Sequence, residues 1–593
     1  MKKLILFVLI LFSSAQAKLD IHVVYPRSNQ QVALVDSTFI FGNVSPGAKL
    51  VINGISVPVY KDGGWLVFLD VSPGPFVFHI IARKDKDSTL LDWPVNIGPP
   101  ETTMPMAKYM PRAPHPSTKS IYFVGDTLEF SFKAMAGGVG TFHLDDCEPI
   151  PMYQSLSAEQ NSQSVFGSVS APNQVQKRDQ NYIGYYRIAE GDTGIHSLCY
   201  SYTSPFDSVA DSTIIQNLCI DSIITVMPEF PPLIGVFSGQ SQIIRTAPGM
   251  GYKLLYQPPG IFVKIIGMRD TFYKLALAPG VSGYVNADSV QLLPQGTAIP
   301  EGSVSYVQVD KAEGGIAISA NLGVKALYEI EENLDPPELN IDFFGVTGSV
   351  DWIRYNTKGP LIKIVKWSQP QDQVFRLSVE IGRDRIWGYK PSYDGNKFIL
   401  KINEEPKTKG GLKGLKVTID PGHSKDPGAI GPTGLHEEDA NLWIAQRLRT
   451  MLENKGAKVL MTRTGHEDVS LYDRPLKAEK WGADILVSIH NNALPDGINP
   501  FYNNGTSVYY YFPHSMALAE AVHKRMLVST GLVDHGLYYG NLVLTRYSSV
   551  PSILVECAFM ILPDQEAKLK TAKFQKACAQ GILNGIKDFV AGK

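Results

Sequence analysis

Residues 415–442 read LKVTIDPGHSKDPGAIGPTGLHEEDANL, and this stretch decides the fold of the C-terminal part of the chain. An apolar strand at residues 415–419 ends in a tight turn, a glycine-rich connection follows, and a helix is predicted over residues 437–455. Further strands are predicted at residues 458–461, 485–489, 507–512 and 552–556, and further helices near 473–481, 515–529 and 572–590. This alternation predicts an α/β domain over residues 412–593, with a largely parallel sheet flanked by helices.

Four residues that carry chemistry stand where such a sheet places its functional groups, beyond the carboxyl ends of strands. His423 follows the first strand, and His490 follows the strand at residues 485–489. Glu437 opens the first helix, and Glu556 ends the strand at residues 552–556. Two imidazoles and a carboxylate suit a catalytic zinc that keeps one position for water, and a second glutamate beside it suits proton transfer.

Each of these residues also has a structural interpretation. A histidine after a strand often caps or packs, and Glu437 can favour the helix N-terminus through the helix dipole. Glu556 follows the apolar run VPSILV, where an unpaired buried carboxylate is costly, and this favours a functional role. Spacing alone therefore suggests a metal site without proving zinc.

Four segments of the chain resemble the zinc-dependent N-acetylmuramoyl-L-alanine amidases of the Amidase_3 family. They are VTIDPGHSKDPGAIGPTGLHEEDANL, TRTGHEDVSLYDRPLKA, ADILVSIHNNA and VPSILVECAFM, in this order within residues 412–593. The resemblance implies hydrolysis of the peptidoglycan amide between the lactyl group of N-acetylmuramic acid and L-alanine of the stem peptide. It also implies one Zn²⁺ held by His423, Glu437 and His490, with Glu556 as the catalytic glutamate.

The resemblance ranks the neighbouring residues. Glu438 competes with Glu437 as a ligand, but the family's glutamate precedes a short polar pair and an Asn-Leu, which Asn441-Leu442 matches here. For Arg474 a structural ion pair is at least as good an interpretation as substrate contact. The weaker candidates for substrate binding are Asn491, Arg474 and His436. The histidines expected to be ordinary loop or helix-surface residues are His466, His514, His523 and His535.

The chain departs from the family pattern after Glu556. The family usually has Gly-Phe there and a Ser-Asn shortly after, whereas this chain has CAFM at residues 557–560, which questions local geometry or substrate contacts. Some relatives carry a long helical insertion that plugs the site after the strand corresponding to SVYYYF. Only about 30 residues separate Phe512 from Asn541 here. We therefore expect a site that this insertion does not gate.

Upstream of the catalytic domain the sequence predicts all-β structure. Short strands separated by turns such as Asn53-Gly54 predict an immunoglobulin-like β-sandwich over residues 18–98. Six prolines predict a semi-rigid linker over residues 99–119. Residues 120–230 form a predicted β-rich domain of unclear type.

Two further β regions have recognisable patterns. Residues 233–296 resemble bacterial SH3-like domains, and residues 303–405 resemble the AMIN-type β domain that precedes the catalytic domain in some cell-wall amidases. The resemblance implies that these regions hold the enzyme on peptidoglycan, or on envelope or divisome partners. For residues 233–296 a purely structural spacer is an equal alternative.

Composition and the first residues indicate the compartment. The 593 residues include 55 Lys+Arg and 57 Asp+Glu, which gives a formal charge of −2. This balance provides no electrostatic attraction for nucleic acid or anionic membranes.

The sequence predicts a signal peptide over residues 1–17, which has a basic start, an apolar run at residues 4–12 and Ala-Gln-Ala at residues 15–17. That run is too short for a membrane span, which needs about 20 residues. We expect an exported bacterial protein, periplasmic or wall-associated, without an integral membrane segment after cleavage.

The cysteines and two other functions complete the predictions. Cys147, Cys199 and Cys219 lie in one β-rich region that permits one disulfide, whereas Cys557 and Cys578 are predicted to be small core residues. Two alternatives to the amidase are a zinc peptidase that cuts within the stem peptide and a non-catalytic wall-binding scaffold. The reaction products distinguish them.

Overall fold

The structure is a computed structural model. It describes residues 19–98, 112–135, 137–155, 163–164, 167–168, 179–203, 215–408 and 411–592. The predicted signal peptide and most of the predicted proline-rich linker lie outside the described residues. Within these ranges, no helix is long and apolar enough to cross a membrane.

Residues 19–98 form a sandwich of two sheets. One sheet has the strand order β1–β3–β6 and the other has the order β2–β8–β7–β4–β5. The strands are β1 Ile21–Tyr25, β2 Gln31–Val32, β3 Ser37–Val44, β4 Lys49–Ile52, β5 Ile55–Val57, β6 Gly64–Asp70, β7 Gly74–Lys84 and β8 Asp87–Ile97. Ile40, Trp65 and Phe78 fill the space between the two sheets. We refer to this unit as the N-terminal sandwich.

The three-stranded sheet β1–β3–β6 is buried on both faces. Along β3 and β6, residues of the sandwich core alternate with residues on the opposite, outer face of the sheet. The outer face includes Phe39, Phe41 and Leu66, and these side chains are only 2–4% exposed. Their outer face packs against apolar residues of the C-terminal domain, which are Leu494, Ile498, Phe559, Ile561 and Leu562. Fully burying each such side chain contributes about 1.5–3 kcal/mol. The first and last parts of the described chain are therefore in direct contact.

Residues 112–292 share one extended sheet. Its order is β24–β23–β22–β10–β18–β17–β12–β13–β16–β11–β9, with β19 beside β22 and β25 beside β19, and β14–β15 and β20–β21 form separate pairs. The strands are β9 Arg112–His115, β10 Ser120–Phe123, β11 Thr127–Met135, β12 Val139–Leu144, β13 Ile150–Ser155, β14 Gln163–Ser164, β15 Gly167–Ser168, β16 Asp179–Arg187, β17 Gly194–Thr203, β18 Ile215–Met227, β19 Leu233–Phe237, β20 Gln242–Ile244, β21 Leu254–Gln257, β22 Phe262–Arg269, β23 Phe272–Ala278, β24 Val281–Asn286 and β25 Val290–Leu292.

This sheet differs from the predicted domain layout in two ways. β10 is bonded to β18 on one edge and to β22 on the other, with Ile121 opposite Met268, so the boundary predicted near residue 230 does not separate two sheets. Pairing in this way leaves neither edge of β10 exposed. The end of the predicted linker is a strand, β9, which pairs with β11; Pro114 is tolerated because β9 lies at the edge. Cys199 and Cys219 form a disulfide between β17 and β18, and Cys147 is free and exposed.

Residues 302–403 form a second sandwich, which we call the middle sandwich. Its sheets have the orders β30–β26–β27–β34–β33 and β28–β29–β32–β31. The strands are β26 Gly302–Ala312, β27 Gly315–Asn321, β28 Leu327–Leu334, β29 Pro337–Phe344, β30 Val346–Tyr355, β31 Ile362–Gln371, β32 Val374–Ile381, β33 Tyr389–Asp394 and β34 Lys397–Asn403.

The C-terminal domain is an α/β domain with one six-stranded sheet of order β36–β35–β37–β40–β38–β39. β36, β35, β37 and β40 are parallel, whereas β38 runs antiparallel to β40. The strands are β35 Lys416–Pro421, β36 Lys458–Met461, β37 Ile485–Asn492, β38 Thr506–Tyr510, β39 Asp534–Tyr539 and β40 Ser552–Phe559. The helices are α1 Glu437–Glu453, α2 Asp473–Trp481, α3 Met516–Thr530, α4 Pro563–Leu569 and α5 Ala572–Val590.

The multidomain organisation and the α/β character of this domain are as the sequence predicts, with two omissions. β39 was not predicted because DHGLYY has little apolar alternation, and α4 was not predicted because it is short. The predicted apolar stripe of α1 is buried, with Leu442, Leu448 and Leu452 in the core. Between β38 and β39 the chain forms α3 and a short 3₁₀ turn, so it has no long helical insertion there.

The middle sandwich also packs on the C-terminal domain. Trp387 lies in the core of that domain, 3% exposed, and its indole nitrogen donates to the carbonyl of Asp484 at 3.0 Å. His514 was predicted to be a surface residue, and this is wrong. Its ring nitrogen Nδ1 lies 2.8 Å from Glu332 of the middle sandwich, and both side chains are buried. A contact between domains removes this histidine from solvent, which local sequence cannot reveal.

We expect Trp387→Ala to destabilise the full chain by about 3–5 kcal/mol, because it leaves a cavity and an unpaired Asp484 carbonyl. Trp352→Ala, in the same sandwich but 74% exposed, should change the unfolding free energy by less than about 0.5 kcal/mol. Urea unfolding of the two variants and the parent measures both effects. Equal effects of the two substitutions would contradict the packing described for Trp387.

Candidate metal centre and active site

The four residues selected from the sequence meet at one edge of the C-terminal sheet. His423 follows β35, and His490 lies near the carboxyl end of β37. Glu556 lies opposite His490 in the register of β37 and β40. Glu437 is the first residue of α1, which begins after the connection from β35. The carboxyl ends of parallel strands share one edge, and this brings the four side chains together.

His423, Glu437 and His490 form a compact group of metal-ligating atoms. One potential ligand atom from each residue lies within 4.8 Å of the others. Nε2 of His423 is 3.0 Å from one oxygen of Glu437, and Nδ1 of His490 is 3.0 Å from the other. Two imidazoles and one carboxylate are a donor set that binds zinc and leaves a coordination position open. The residues therefore fit a divalent metal ion.

Glu437 is the electrostatic centre of this group. It is only 4% exposed, and it accepts hydrogen bonds from the backbone nitrogens of Ala429 at 3.0 Å and Asn491 at 3.1 Å. Burial alone would raise the pKa of Glu437, but its contacts with the two histidines outweigh burial and lower it. The carboxylate is consequently ionised, as a metal ligand must be.

His423 is oriented by a second carboxylate. Its Nδ1 lies 2.8 Å from Asp426, which leaves Nε2 for the centre. Burial lowers the pKa of His423, but Glu437 and Asp426 together outweigh this and raise it to about 9. The ring is therefore held in a strongly anionic environment, which also suits a cation.

Two glycines make room for the group. A Cβ at Gly428 would lie 2.5 Å from a carboxylate oxygen of Glu437 and 2.7 Å from the ring of His423, and this glycine has a φ of +66°. A Cβ at Gly422 would lie 2.1 Å from the ring of His490. All three distances are shorter than the 3.0 Å below which real Cβ contacts essentially never occur. The backbone therefore approaches the three side chains as closely as only glycine allows.

Glu556 lies beside the centre, opposite His490 in the sheet. One of its carboxylate oxygens is buried and, among the described residues, has no hydrogen-bond donor. Burial, and then the negative charge of Glu437, raise the pKa of Glu556 well above its usual range. A buried carboxyl group with a raised pKa next to a metal-binding group is suited to accept and return a proton.

Arg474, a sequence candidate for substrate contact, lies under the turn that carries His423. Its guanidinium is buried and donates to Asp420 Oδ1 at 2.9 Å, to the carbonyl of Pro421 at 2.9 Å and to that of His423 at 3.0 Å. Arg463 donates to the carbonyls of Pro421 and Gly422 from nearby. Both guanidinium groups donate to backbone carbonyls of residues 421–423, and these bonds support the turn.

The other candidates lie around Glu437. Asn491 is buried, and its amide donates to Asn441, which in turn donates to Glu437 at 3.2 Å. Glu438 points away from the two histidines, and its carboxylate lies 3.6 Å from His466. His436 precedes α1 and is half-buried, without a side-chain capping bond. The structure thus brings Glu437, rather than Glu438, to the centre.

Glu566 supports the site and was not singled out from the sequence. It is fully buried in α4 and accepts hydrogen bonds from the backbone nitrogens of Thr433 at 3.0 Å and Leu435 at 3.1 Å. These residues belong to the connection that leads to Glu437, and a Cβ at Gly431 would lie 2.4 Å from the Glu566 carboxylate. Only the glycines of GPTGL hinted that another group approaches this connection.

Known proteins resemble this domain. A family model described as N-acetylmuramoyl-L-alanine amidase matches residues 417–588. In Bacillus subtilis (strain 168), the N-acetylmuramoyl-L-alanine amidase LytC is 35% identical over 196 residues, which are 32% of this chain and 38% of LytC. The sporulation-specific N-acetylmuramoyl-L-alanine amidase of that strain is 35% identical over 180 residues, 29% of this chain and 67% of that protein. The solved N-acetylmuramoyl-L-alanine amidase AmiC2 of Nostoc punctiforme is 37% identical, over 29% of this chain and 94% of that chain, with a TM-score of 0.28.

The sheet is largely parallel, and two histidines and one glutamate meet at its carboxyl edge. This arrangement is typical of a hydrolase domain that binds a metal ion. The sequence matches go further. The chain belongs to the Amidase_3 family of N-acetylmuramoyl-L-alanine amidases, and the family domain occupies residues 417–588. The family resemblance seen in the sequence is confirmed.

We expect Gly428→Ala to lower the affinity for Zn²⁺ by about 10- to 100-fold, because the added methyl displaces Glu437 or His423. Gly434→Ala is the matched control. Gly434 lies in the same connection with a φ of +88°, but its Cβ would meet nothing within 4 Å. Competition titration with a chromophoric chelator measures both affinities. An equal loss in both variants would assign the effect to backbone strain and contradict the close approach.

Proposed function

We propose that this protein is a zinc-dependent N-acetylmuramoyl-L-alanine amidase. It hydrolyses the amide between the lactyl group of N-acetylmuramic acid and L-alanine of the peptidoglycan stem peptide. The observation that carries the proposal is the group of His423, Glu437 and His490, within 4.8 Å of one another, in a chain that belongs to this family.

In this proposal each side chain has a defined task. His423, Glu437 and His490 hold the metal ion, which when bound supplies a Lewis acid for the amide carbonyl. Glu556 takes a proton from the attacking water and delivers it to the leaving nitrogen of L-alanine. Its unpartnered oxygen supports this task, because no described neighbour competes for the proton. Asn441, Asn491 and the backbone of Ala429 keep Glu437 oriented towards both histidines.

The β domains have a separate task in the proposal. An SH3-like region at residues 233–296 and an AMIN-like region at residues 303–405 hold the enzyme on peptidoglycan, or on envelope or divisome partners. Such binding raises the effective concentration of the scissile bond without adding chemistry. The protein is exported by the segment at residues 1–17 and works in the periplasm or at the cell wall. A peptidoglycan substrate and a cell-wall amidase domain both support this location.

Digestion of purified peptidoglycan by the Zn²⁺-loaded full chain tests the reaction. We expect mass spectrometry to find intact stem peptides that begin with a free L-alanine amine, and glycan with free lactyl carboxylates. Stem peptides that are cut internally would instead identify the protein as a zinc peptidase. Tight binding to the wall without any product would make the protein a scaffold.

Glu556→Gln tests the proton-transfer role. Because glutamine cannot carry the proton, we expect turnover to fall by about 10²–10⁴-fold, while Zn²⁺ content stays at one per chain. Glu438→Gln is the control, since Glu438 points away from the centre, and it should retain both activity and metal. Removal of Zn²⁺ with a chelator should abolish the activity of the parent, and Zn²⁺ should restore it. A Glu556→Gln variant with the parent's rate would remove this residue from the mechanism.

A further inference from the structure

The N-terminal sandwich contacts the C-terminal domain next to the candidate active site. The buried outer face of β1–β3–β6 lies against residues 493–498, which follow His490, and against residues 559–562, which follow Glu556. A third contact reaches the connection before Glu437, where the side-chain amide of Asn43 donates to the carbonyl of Pro432 at 2.9 Å. One upstream domain therefore touches the segments adjoining three of the four site residues, Glu437, His490 and Glu556.

Asp496 is the polar anchor of this contact. One carboxylate oxygen accepts from the hydroxyl of Tyr25 at 2.5 Å and from Thr38 Oγ1 at 3.4 Å. The other accepts from the backbone nitrogen of Ala33 at 3.0 Å. All three donors belong to the N-terminal sandwich. A carboxylate that accepts several bonds at the border of an apolar contact fixes the register of the two surfaces.

The anchored segments are also tied to each other at the level of the active site. Asn492 lies opposite Phe559 in the register of β37 and β40. Asn492 is two residues beyond His490, and Phe559 is three residues beyond Glu556. The backbone nitrogen of Met560 donates to the carbonyl of Asn492 at 2.8 Å. Phe559 is itself part of the apolar contact with Phe39, Phe41 and Leu66. A displacement at the contact is therefore transmitted within two or three residues to His490 and Glu556.

We propose that the N-terminal sandwich is a positioning domain of the active site: through Asp496 and the buried outer face of β1–β3–β6 it holds the segments after His490 and Glu556 in their working geometry. This inference rests on the proposed function, in that the geometry it protects is that of the hydrolytic site. In this inference the N-terminal sandwich affects the rate of hydrolysis, whereas the proposed attachment to the wall is the task of the other β regions.

The site residues need such support because the ends of strands are less stable than their paired interiors. Beyond residues 492 and 559 the chain leaves the sheet, and segments outside a sheet open locally more easily than paired strands. A displacement of about 1 Å in a catalytic group can cost about 100-fold in rate. An apolar contact with a central carboxylate removes this freedom on one side of the site. Asp496 acts through the backbone, so it is a positioning residue and not a catalytic one.

Asp496→Ala in the full chain is the primary test. Loss of the three hydrogen bonds that Asp496 accepts should increase hydrogen–deuterium exchange in residues 493–498 and 559–562. In hydrolysis of peptidoglycan, we expect kcat to fall by about tenfold or more with KM nearly unchanged, because geometry rather than substrate affinity is altered. Asp496→Asn keeps one of the two acceptor oxygens and should recover part of kcat. Tyr25→Phe, which removes a single hydroxyl, should give a smaller change in the same direction.

Asp92→Ala is the matched control. Asp92 lies on β8 of the other sheet of the N-terminal sandwich, where it contacts His79 at 2.7 Å. It should leave both exchange in the two segments and kcat unchanged. Circular dichroism and thermal melting establish that each variant is folded. If Asp496→Ala remains folded and leaves kcat and exchange unchanged, or if Asp92→Ala produces the same loss, the positioning role is wrong.

The measurements separate this inference from the proposed function. If the parent protein releases no amidase products, the proposed function fails, and exchange in residues 493–498 and 559–562 still decides whether the sandwich holds these segments. If the parent is an active amidase and Asp496→Ala is equally active, the inference fails and the function stands. Zn²⁺ titration of the same variants adds a readout that needs no substrate, and we expect an affinity loss of less than tenfold.

Discussion

The C-terminal domain depends on one constraint, the burial of the Glu437 carboxylate. A nearly inaccessible negative charge has to be compensated on every side, and the neighbouring structure is arranged to do this. Two imidazoles face its oxygens, two backbone nitrogens and the Asn441 amide donate to it, and Gly428 leaves the space it occupies. Glu566 in turn holds the connection that delivers Glu437 to the site. The same arrangement that makes this burial tolerable creates a receptor for a cation.

Much of this centre could be predicted because its signals are local. The strand ends at His423 and His490, the glycine-rich connection and the helix that starts at Glu437 are all visible in the sequence, and the fold then brings them to one edge. The roles of Arg474 and Asn491 could not be derived, since a buried arginine and a surface arginine look alike in a sequence. His514 was misjudged because its partner, Glu332, lies 182 residues away. Contacts between domains have no short-range signature.

One long-range contact did leave a trace in the sequence. In a sandwich with a solvated outer face, strands alternate apolar and polar residues, but TFIF at residues 38–41 and WLVFL at residues 65–69 are continuously apolar. Such runs indicate that both faces are covered. The departure from the family pattern at residues 557–560 meets the same contact at one position, because Phe559 packs on the N-terminal sandwich. Cys557, Ala558 and Met560 lie instead in the core of the C-terminal domain. The interface therefore accounts for the apolar runs and for Phe559.

The sheet shared through β10 has a mechanical consequence. Backbone hydrogen bonds continue from the edge strand β9 to β24, so bending between the two regions would require breaking bonds along β10. The link between the two regions is narrow, because the β10–β22 register has one residue pair, Ile121 opposite Met268. A change in the angle between residues 112–228 and residues 233–292 is therefore accommodated at this pair, which makes it the point where the orientation of the two regions is set.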